Sequence, residues 1–331
     1  MFKNLKKQLE AVKLKREISK LLKNHGEIQL SKLRNMTTLS SFCKHISIAT
    51  YNQYPQIGRI FEKKVVVKEY KDIDELINEV KVMDYIWNNI NIERPEIYGI
   101  LKVDIPKNKY LNYALVMEYV DTFDLMDLID KNTLNKSQRI QVIQQLVKYI
   151  DELHKFNVTH NDIKCDNTLV LIKGNKITVT LIDFAVSSLP SNDNKLHWLI
   201  GTRNYYSPEM YYEHKCLAKA NDVWSLGVVI YILISKGYCP FDYCQYEHIT
   251  NSKDFYMCIP YRLSYCKFNE DMVAIFQRIF VPERIRITIQ ELCKVILPVM
   301  DKILSEIRLS RVNSDKIIMT PHRRIFKNKS N

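Results

Sequence analysis

Apolar side chains stand at Phe2, Leu5, Leu9 and Val12, and again at Ile18, Leu21 and Leu22, at a spacing that predicts an amphipathic helix at the amino terminus. Strand-like material follows over 56–61 and 64–70, the second with the β-branched run Val65-Val66-Val67, and reads as a hairpin turning at Glu62-Lys63. Ile73, Leu76, Ile77, Val80, Met83 and Trp87 recur at three and four and predict one helix, before further strands over 97–103 and 113–117. From Asp124 the pattern changes to long helices over 137–155, near 222–235 and near 288–307. A short strand pair, 168–172 and 178–182, interrupts them and turns at Gly174-Asn175. This order predicts an α+β architecture of two lobes, a small β-rich one with one helix and a larger, mainly helical one, joined near 117–123. A cleft between lobes is the default site.

Length and composition fit that picture. The 331 residues suffice for one large domain or two packed lobes, and 46% hydrophobic with 26% charged residues describe a globular chain. Only seven glycines occur, the closest pair ten positions apart, which excludes both G-x-G-x-x-G and G-x-x-x-x-G-K-[ST] phosphate loops. The net charge of +12 lies at the ends: residues 1–24 hold eight Lys/Arg against two acids, and residues 308–331 seven against one. Basic ends serve as solvated tails, or as contacts for acidic protein, nucleic acid or anionic lipid. The eight cysteines form no C-x-x-C pair and no zinc spacing, so they read as free thiols of an intracellular, reducing compartment, cytoplasm or nucleus. No apolar amino-terminal stretch suggests a signal peptide, and the longest apolar run, 13 residues from Val223, is too short for a transmembrane segment.

The chemistry concentrates in Thr159-His160-Asn161-Asp162-Ile163-Lys164-Cys165-Asp166-Asn167-Thr168-Leu169 and in Leu181-Ile182-Asp183-Phe184. A carboxylate to orient a hydroxyl, a cation for a transferring phosphate, and amide plus carboxylate oxygens for Mg²⁺ are the parts of phosphoryl transfer. Here the sequence resembles the eukaryotic protein kinase family, over roughly residues 45–305. In order come Val66-Val67-Lys68, Glu79, Met117-Glu118-Tyr119-Val120, the 160–167 loop, Asp183-Phe184-Ala185, the segment from Gly201-Thr202 to Ser207-Pro208-Glu209, and Asp222-Val223-Trp224-Ser225-Leu226-Gly227. Several independent motifs in one order make a strong signal.

The resemblance implies that Asp162 accepts or orients the substrate hydroxyl proton, Lys164 neutralises the moving phosphoryl group, and Asn167 with Asp183 holds Mg²⁺. Lys68, paired with Glu79, would position the ATP phosphates. Met117, Glu118 and Tyr119 of the hinge, with Asp124 and Leu169, would complete the nucleotide site. Lys164 and Gly201-Thr202 resemble the Ser/Thr branch, so protein serine or threonine is the expected acceptor. Asp222 would brace the catalytic loop, and Glu209 would pair with a late arginine, Arg286 or Arg284. The expected domains are a basic helical arm over 1–40, a kinase-like domain over 41–307 and a basic tail over 308–331. Within the domain, the first lobe covers about 41–117, the hinge 118–123 and the second lobe 124–307.

The chain also departs from the family. The stretch read as its phosphate loop, 46–51, contains no glycine, which favours a pseudokinase scaffold as the alternative. A small-molecule phosphotransferase is a third reading, opposed by the Ser207-Pro208-Glu209 and Asp222–Gly227 elements. Ala185 replaces a glycine and is expected to restrict flipping of its segment. Asn161 replaces the arginine that receives an activation-loop phosphate, and a neutral amide makes no charge-assisted pair. Activity independent of phosphorylation in 186–200 is the expectation. Against 14 arginines stand 35 lysines, and this Asn- and Ile-rich texture resembles divergent kinases of large DNA viruses, though a parasite or endosymbiont fits as well.

Overall fold

The computed structural model describes residues 2–38, 46–53, 61–70, 72–103, 112–174, 176–191, 193–241, 249–264, 268 and 270–306. Its backbone divides into two units, Met1–Asn88 with Arg94–Asp121 and Asn89–Glu93 with Thr122–Asn331.

In the first unit the amphipathic spacing becomes α1, Phe2–His25. Leu14, Glu17, Ile18, Leu21, Leu22 and His25 form its covered stripe, with Leu21 buried. Then come β1 (Glu27–Ile28), β2 (Leu33–Thr38), β3 (Ile46–Gln53), β4 (Phe61–Tyr70), α2 (Ile73–Asn89), β5 (Ile97–Val103) and β6 (Asn112–Glu118). The six strands form one sheet in the order β1-β5-β6-β4-β3-β2. β4 lies inside it, antiparallel to β3 and β6. Strand alternation sends Val65 and Val67 into an apolar cluster with Ile28, Leu101 and Val116, and so puts Lys68 and Tyr70 on the opposite face.

Three expectations change in this unit. Glu62 and Lys63 do not turn; they lie within β4, opposite Asn52 and Tyr51 of β3. The cations suit a strand there because Lys63 sits 4.7 Å from the Tyr98 ring centre and Lys64 3.8 Å from that of Tyr119. Of the expected strand over 56–61, residues 56–60 lie outside the described residues. Residues 46–51 are the first six residues of β3 rather than a phosphate loop; the connection from β2 to β3 is 39–45, outside the described residues and also without glycine. Finally, residues 27–28 and 33–38, which the helical arm was expected to include, are strands of the sheet with a 3-10 turn at Leu30–Lys32 between them, and α1 belongs to the same unit.

The second unit opens with β7 (Phe123–Asp124) and α3 (Leu125–Asp130), followed by α4 (Lys136–Lys155) behind a reciprocal Asn135–Gln138 cap. β8 (Thr168–Lys173) pairs with β7 on one side and β9 (Lys176–Leu181) on the other in a three-stranded sheet. β10 (Lys195–Leu196) pairs with β11 (Cys216–Leu217), and a single π turn, Glu209–Glu213, lies between them. α5 (Ala218–Ile234) is apolar on nearly every side from Val223 onward and buried there, as that pattern requires. α6 (Ser252–Ser264) and α7 (Glu270–Ile279) lie beside it, with Trp224 of α5 against Tyr256, Phe241 and Phe280, while α8 (Ile289–Glu306) packs on α4 and α7. No helix among the described residues is long and apolar enough to cross a membrane.

Candidate active site

Between α4 and β8 the chain forms a loop whose shape is set by Asp222 of α5. That carboxylate is wholly buried, and it accepts the backbone N–H of His160 (2.9 Å) and of Asn161 (2.8 Å) and faces Nε2 of His154 (2.9 Å). Several donors on one buried carboxylate satisfy it where water is absent. The His160 ring accepts the Asp162 N–H at Nδ1 (3.3 Å) and donates from Nε2 to the Ile182 carbonyl (3.1 Å), so it joins the loop to the end of β9. Asn161 (φ 65°) and Asp183 (φ 70°) both take left-handed backbone, which short Asx side chains tolerate best.

Asp162 is the centre of the cluster. Its Oδ1 accepts the Thr202 hydroxyl at 2.7 Å; its Oδ2 lies 2.9 Å from Lys164 Nζ and 3.0 Å from Asn167 Nδ2. Lys164 also donates to Thr202 Oγ1 (2.9 Å), closing a triangle of cation, hydroxyl and carboxylate. Gly201 permits this approach: at φ +99° a Cβ would lie 2.5 Å from the Asn161 carbonyl oxygen. Cys165 is buried beside Lys164 with its N–H on the Tyr205 hydroxyl (3.4 Å), and burial holds its thiol well above the usual pKa.

Asn167 precedes β8 and Asp183 follows β9. The Thr168–Leu181 pairing and the bond from the Ile182 N–H to the Asn167 carbonyl (3.0 Å) bring these two positions to the same end of the hairpin. Because the Asn167 amide nitrogen is spent on Asp162, its Oδ1 remains to accept or ligate. An amide oxygen and a carboxylate make a partial oxygen set. That fits Mg²⁺, which keeps waters and substrate phosphates as its other ligands. No cluster of three or more His, Cys, Asp or Glu among the described residues suits a metal held by protein alone.

In the first unit, Lys68 Nζ lies 2.7 Å from Glu79 Oε2, and the Tyr70 hydroxyl donates to the same oxygen. Glu79 is buried, so the pair and the phenol together satisfy it. Met117 is buried at the end of β6; the Glu118 side chain accepts the Glu96 N–H (3.2 Å), and Tyr119 lies under Lys64. Asp124, in the second unit, caps α3 by accepting the Asp127 N–H (2.8 Å) and pairs with Leu169 across β7 and β8.

Burial, with Asp127 and Asp166 nearby, pushes the Asp124 carboxyl up to about 6. A raised folded pKa means that the folded chain holds the proton more tightly, so the penalty is absent below the unfolded value of 3.8 and complete above about 6. Asp124→Asn keeps the cap. It is expected to raise the thermal midpoint at pH 7.5 by about 2–4 °C and to leave it unchanged at pH 4, as scanning calorimetry at the two pH values checks.

Arg286 is the late arginine: its Nη2 lies 3.0 and 3.1 Å from the two Glu209 oxygens, while Arg284 is exposed. The structure adds Tyr70 to the site and gives Thr202, in the sequence only a mark of the Ser/Thr branch, a contact with Asp162. Tyr70 stands two positions after Lys68 and hence on its face of the strand, which was a usable signal. The contact of Thr202 with Asp162 spans 40 residues of sequence and gives no local sign.

A family model described as the protein kinase domain matches residues 54–317. CBL-interacting protein kinase 31 of Oryza sativa subsp. japonica is 29% identical over 236 residues, 70% of this chain and 47% of that one. CBL-interacting serine/threonine-protein kinase 3 of Arabidopsis thaliana is 30% identical over 192 residues, 57% and 40% of the two chains. A calcium and calcium/calmodulin-dependent serine/threonine-protein kinase of Pisum sativum is 32% identical over 167 residues, 50% and 31%. The matched stretch thus spans less than half of each of these relatives.

Proposed function

This chain belongs to the protein kinase family, and we propose that it transfers the γ-phosphate of ATP to serine or threonine of other proteins. The observation that carries this reading is the closed cluster of Asp162, Lys164, Thr202 and Asn167, at 2.7–3.0 Å. Asp162 would orient the incoming hydroxyl and take its proton. Lys164, already beside that carboxylate, would neutralise charge on the transferring group, and the Thr202 hydroxyl fixes both partners. Lys68, held by Glu79 and Tyr70, would place the nucleotide phosphates. Asn167 and Asp183 would hold Mg²⁺, which when bound supplies charge neutralisation on the phosphate oxygens. Met117, Glu118, Tyr119, Asp124 and Leu169 are proposed for the base and sugar. Protein substrates follow from the family, and a reducing, intracellular setting suits the free thiols at Cys165, Cys216, Cys239, Cys258 and Cys293.

Activity without activation-loop phosphorylation is part of the proposal. Asn161 Nδ2 donates to the Val186 carbonyl and to Ser188 Oγ, both at 2.9 Å, which ties the segment down through neutral groups. One experiment tests both statements. The chain is stripped with a phosphatase, freed of it, and offered labelled Mg-ATP with a mixed protein acceptor, followed by phosphoamino-acid analysis. Phosphoserine and phosphothreonine at a rate within about threefold of untreated chain are expected. A rate no higher than that of Asp183→Asn, or phosphotyrosine alone, defeats the kinase reading; an active chain silenced by the phosphatase defeats only the independence.

A further inference from the structure

We infer that α1 is a positioning element for the Lys68–Glu79 pair, acting through the outer face of α2, with Glu17, His25, Lys81 and Asp84 as the positioning residues. The inference rests on the kinase reading above, because it concerns how that pair is kept in place.

α2 carries Glu79 on the face turned to β4. Lys81 and Asp84 follow by two and five residues, so they project about 200° and 140° around the helix from Glu79. Both are met by α1: Lys81 Nζ lies 2.5 Å from Glu17 Oε2, and His25 Nε2 lies 3.0 Å from Asp84 Oδ2. Glu17, Leu21 and His25 occupy one stripe of α1, and Leu21 is buried between the two polar contacts. α2 is therefore engaged on opposite faces, by β4 through Glu79 and by α1 through its back.

The carboxyl-terminal end of α1, where His25 sits, is also held by the sheet. Immediately after it, the Gly26 carbonyl accepts the Ile100 N–H (3.1 Å), and β1 runs parallel to β5 with Ile28 opposite Leu101. Gly99 of β5 makes room: a Cβ there would lie 2.9 Å from Ile28 Cγ1 and 3.0 Å from the Gly26 oxygen, at φ +155°. β5 is thus shaped to receive the strand that carries α1. The part-exposed Lys81–Glu17 ion pair adds little stability and His25–Asp84 is a single hydrogen bond, so the two contacts set where α1 lies along α2 rather than how firmly the unit folds. Beside His25 and Asp84 a cavity of about 180 Å³, lined by Met83, Trp87, Arg94 and Glu96, leaves the junction loosely filled. The register of the polar contacts, more than packing, decides the placement there.

Glu17→Lys and Lys81→Glu each set like charges against each other, and the double variant restores opposite ones. The full chain is assayed for kcat, KM for ATP and thermal midpoint, with Lys68→Met as the inactive reference. Each single variant is expected to raise KM for ATP about fivefold, and the double to return within about twofold of wild type. The midpoint is expected to move by less than about 2 °C throughout, which separates positioning from stability. If a reversed chain fails to fold, Glu17→Gln with Asp84→Asn removes both contacts without repulsion and is expected to raise the same KM. Active single variants that match wild type, or a double that behaves like the singles, overturn the inference alone. A wild-type chain no better than Lys68→Met overturns the function and this inference with it.

Discussion

Asp162→Asn is expected to slow phosphate transfer by about a thousandfold while nucleotide affinity stays within about threefold. The loss has two sources. A carboxamide takes no proton at the reaction's pH, so the substrate hydroxyl loses its acceptor. The amide is also wrongly polarised for its surroundings: if its oxygen keeps the Thr202 hydroxyl, its NH₂ faces Lys164 Nζ and Asn167 Nδ2, both donors. The cluster then opens rather than only losing its base. Initial rates with saturating Mg-ATP, set against nucleotide-analogue binding, check this. A variant that transfers at more than a tenth of the wild-type rate would remove Asp162 from the reaction.

The second large effect concerns folding. Arg286 places its guanidinium on Glu209, on the carbonyls of Ile279, Val281 and Ala220, and over the Trp224 ring. Both ends of the pair are buried. Burial pushes the Glu209 carboxyl up, but Arg286 and the Tyr256 hydroxyl pull it further down, so the net shift is below the usual carboxylate range. Arg286→Ala leaves that carboxylate buried without its partner and is expected to destabilise the second unit by about 3–5 kcal/mol. Glu209→Gln with Arg286→Met removes both charges and should recover more than half of that loss. Because a lowered folded pKa stabilises above the unfolded value of 4.5, the contribution of the pair is present at neutral pH and lost as the solution is acidified through the folded pKa. Denaturant titrations of the three chains at pH 7 and pH 4 test this; equal midpoints for the two variants at pH 7 would refute it.

The parts of this fold that the sequence disclosed are those whose meaning is local. α2 shows in the period of Leu76, Ile77, Val80 and Met83, although the last position of that period, Trp87, is exposed and the neighbouring Ile86 is buried instead, and the β8–β9 hairpin shows in its alternation around Gly174. The acid, cation and amide of the 160–167 loop lie within one turn of chain, so their shared chemistry could be read before their geometry. β1 and β2 were hidden for the opposite reason. β1 has two residues, and β2, Leu33–Thr38, has an irregular register between Arg34 and Thr37 and lacks apolar alternation, so its pairing with β3 decides it. Glu62 and Lys63 looked like a turn because charge was taken for solvent, whereas the Tyr98 and Tyr119 rings make a place for Lys63 and Lys64 on the strand. Thr202 gains its role from a partner that sequence distance conceals, whereas the place of Tyr70 beside Lys68 follows from strand alternation.

Cys165 has a consequence for anyone who treats the protein with electrophiles or oxidants. Alkylating reagents and peroxide act on the thiolate, and burial denies this thiol that form although it stands next to Lys164 in the chain. The loop is therefore chemically silent toward them. Dyes and cross-linkers can be directed to part-exposed thiols such as Cys258 without touching the residues around Asp162, and a covalent inhibitor finds no handle at Cys165.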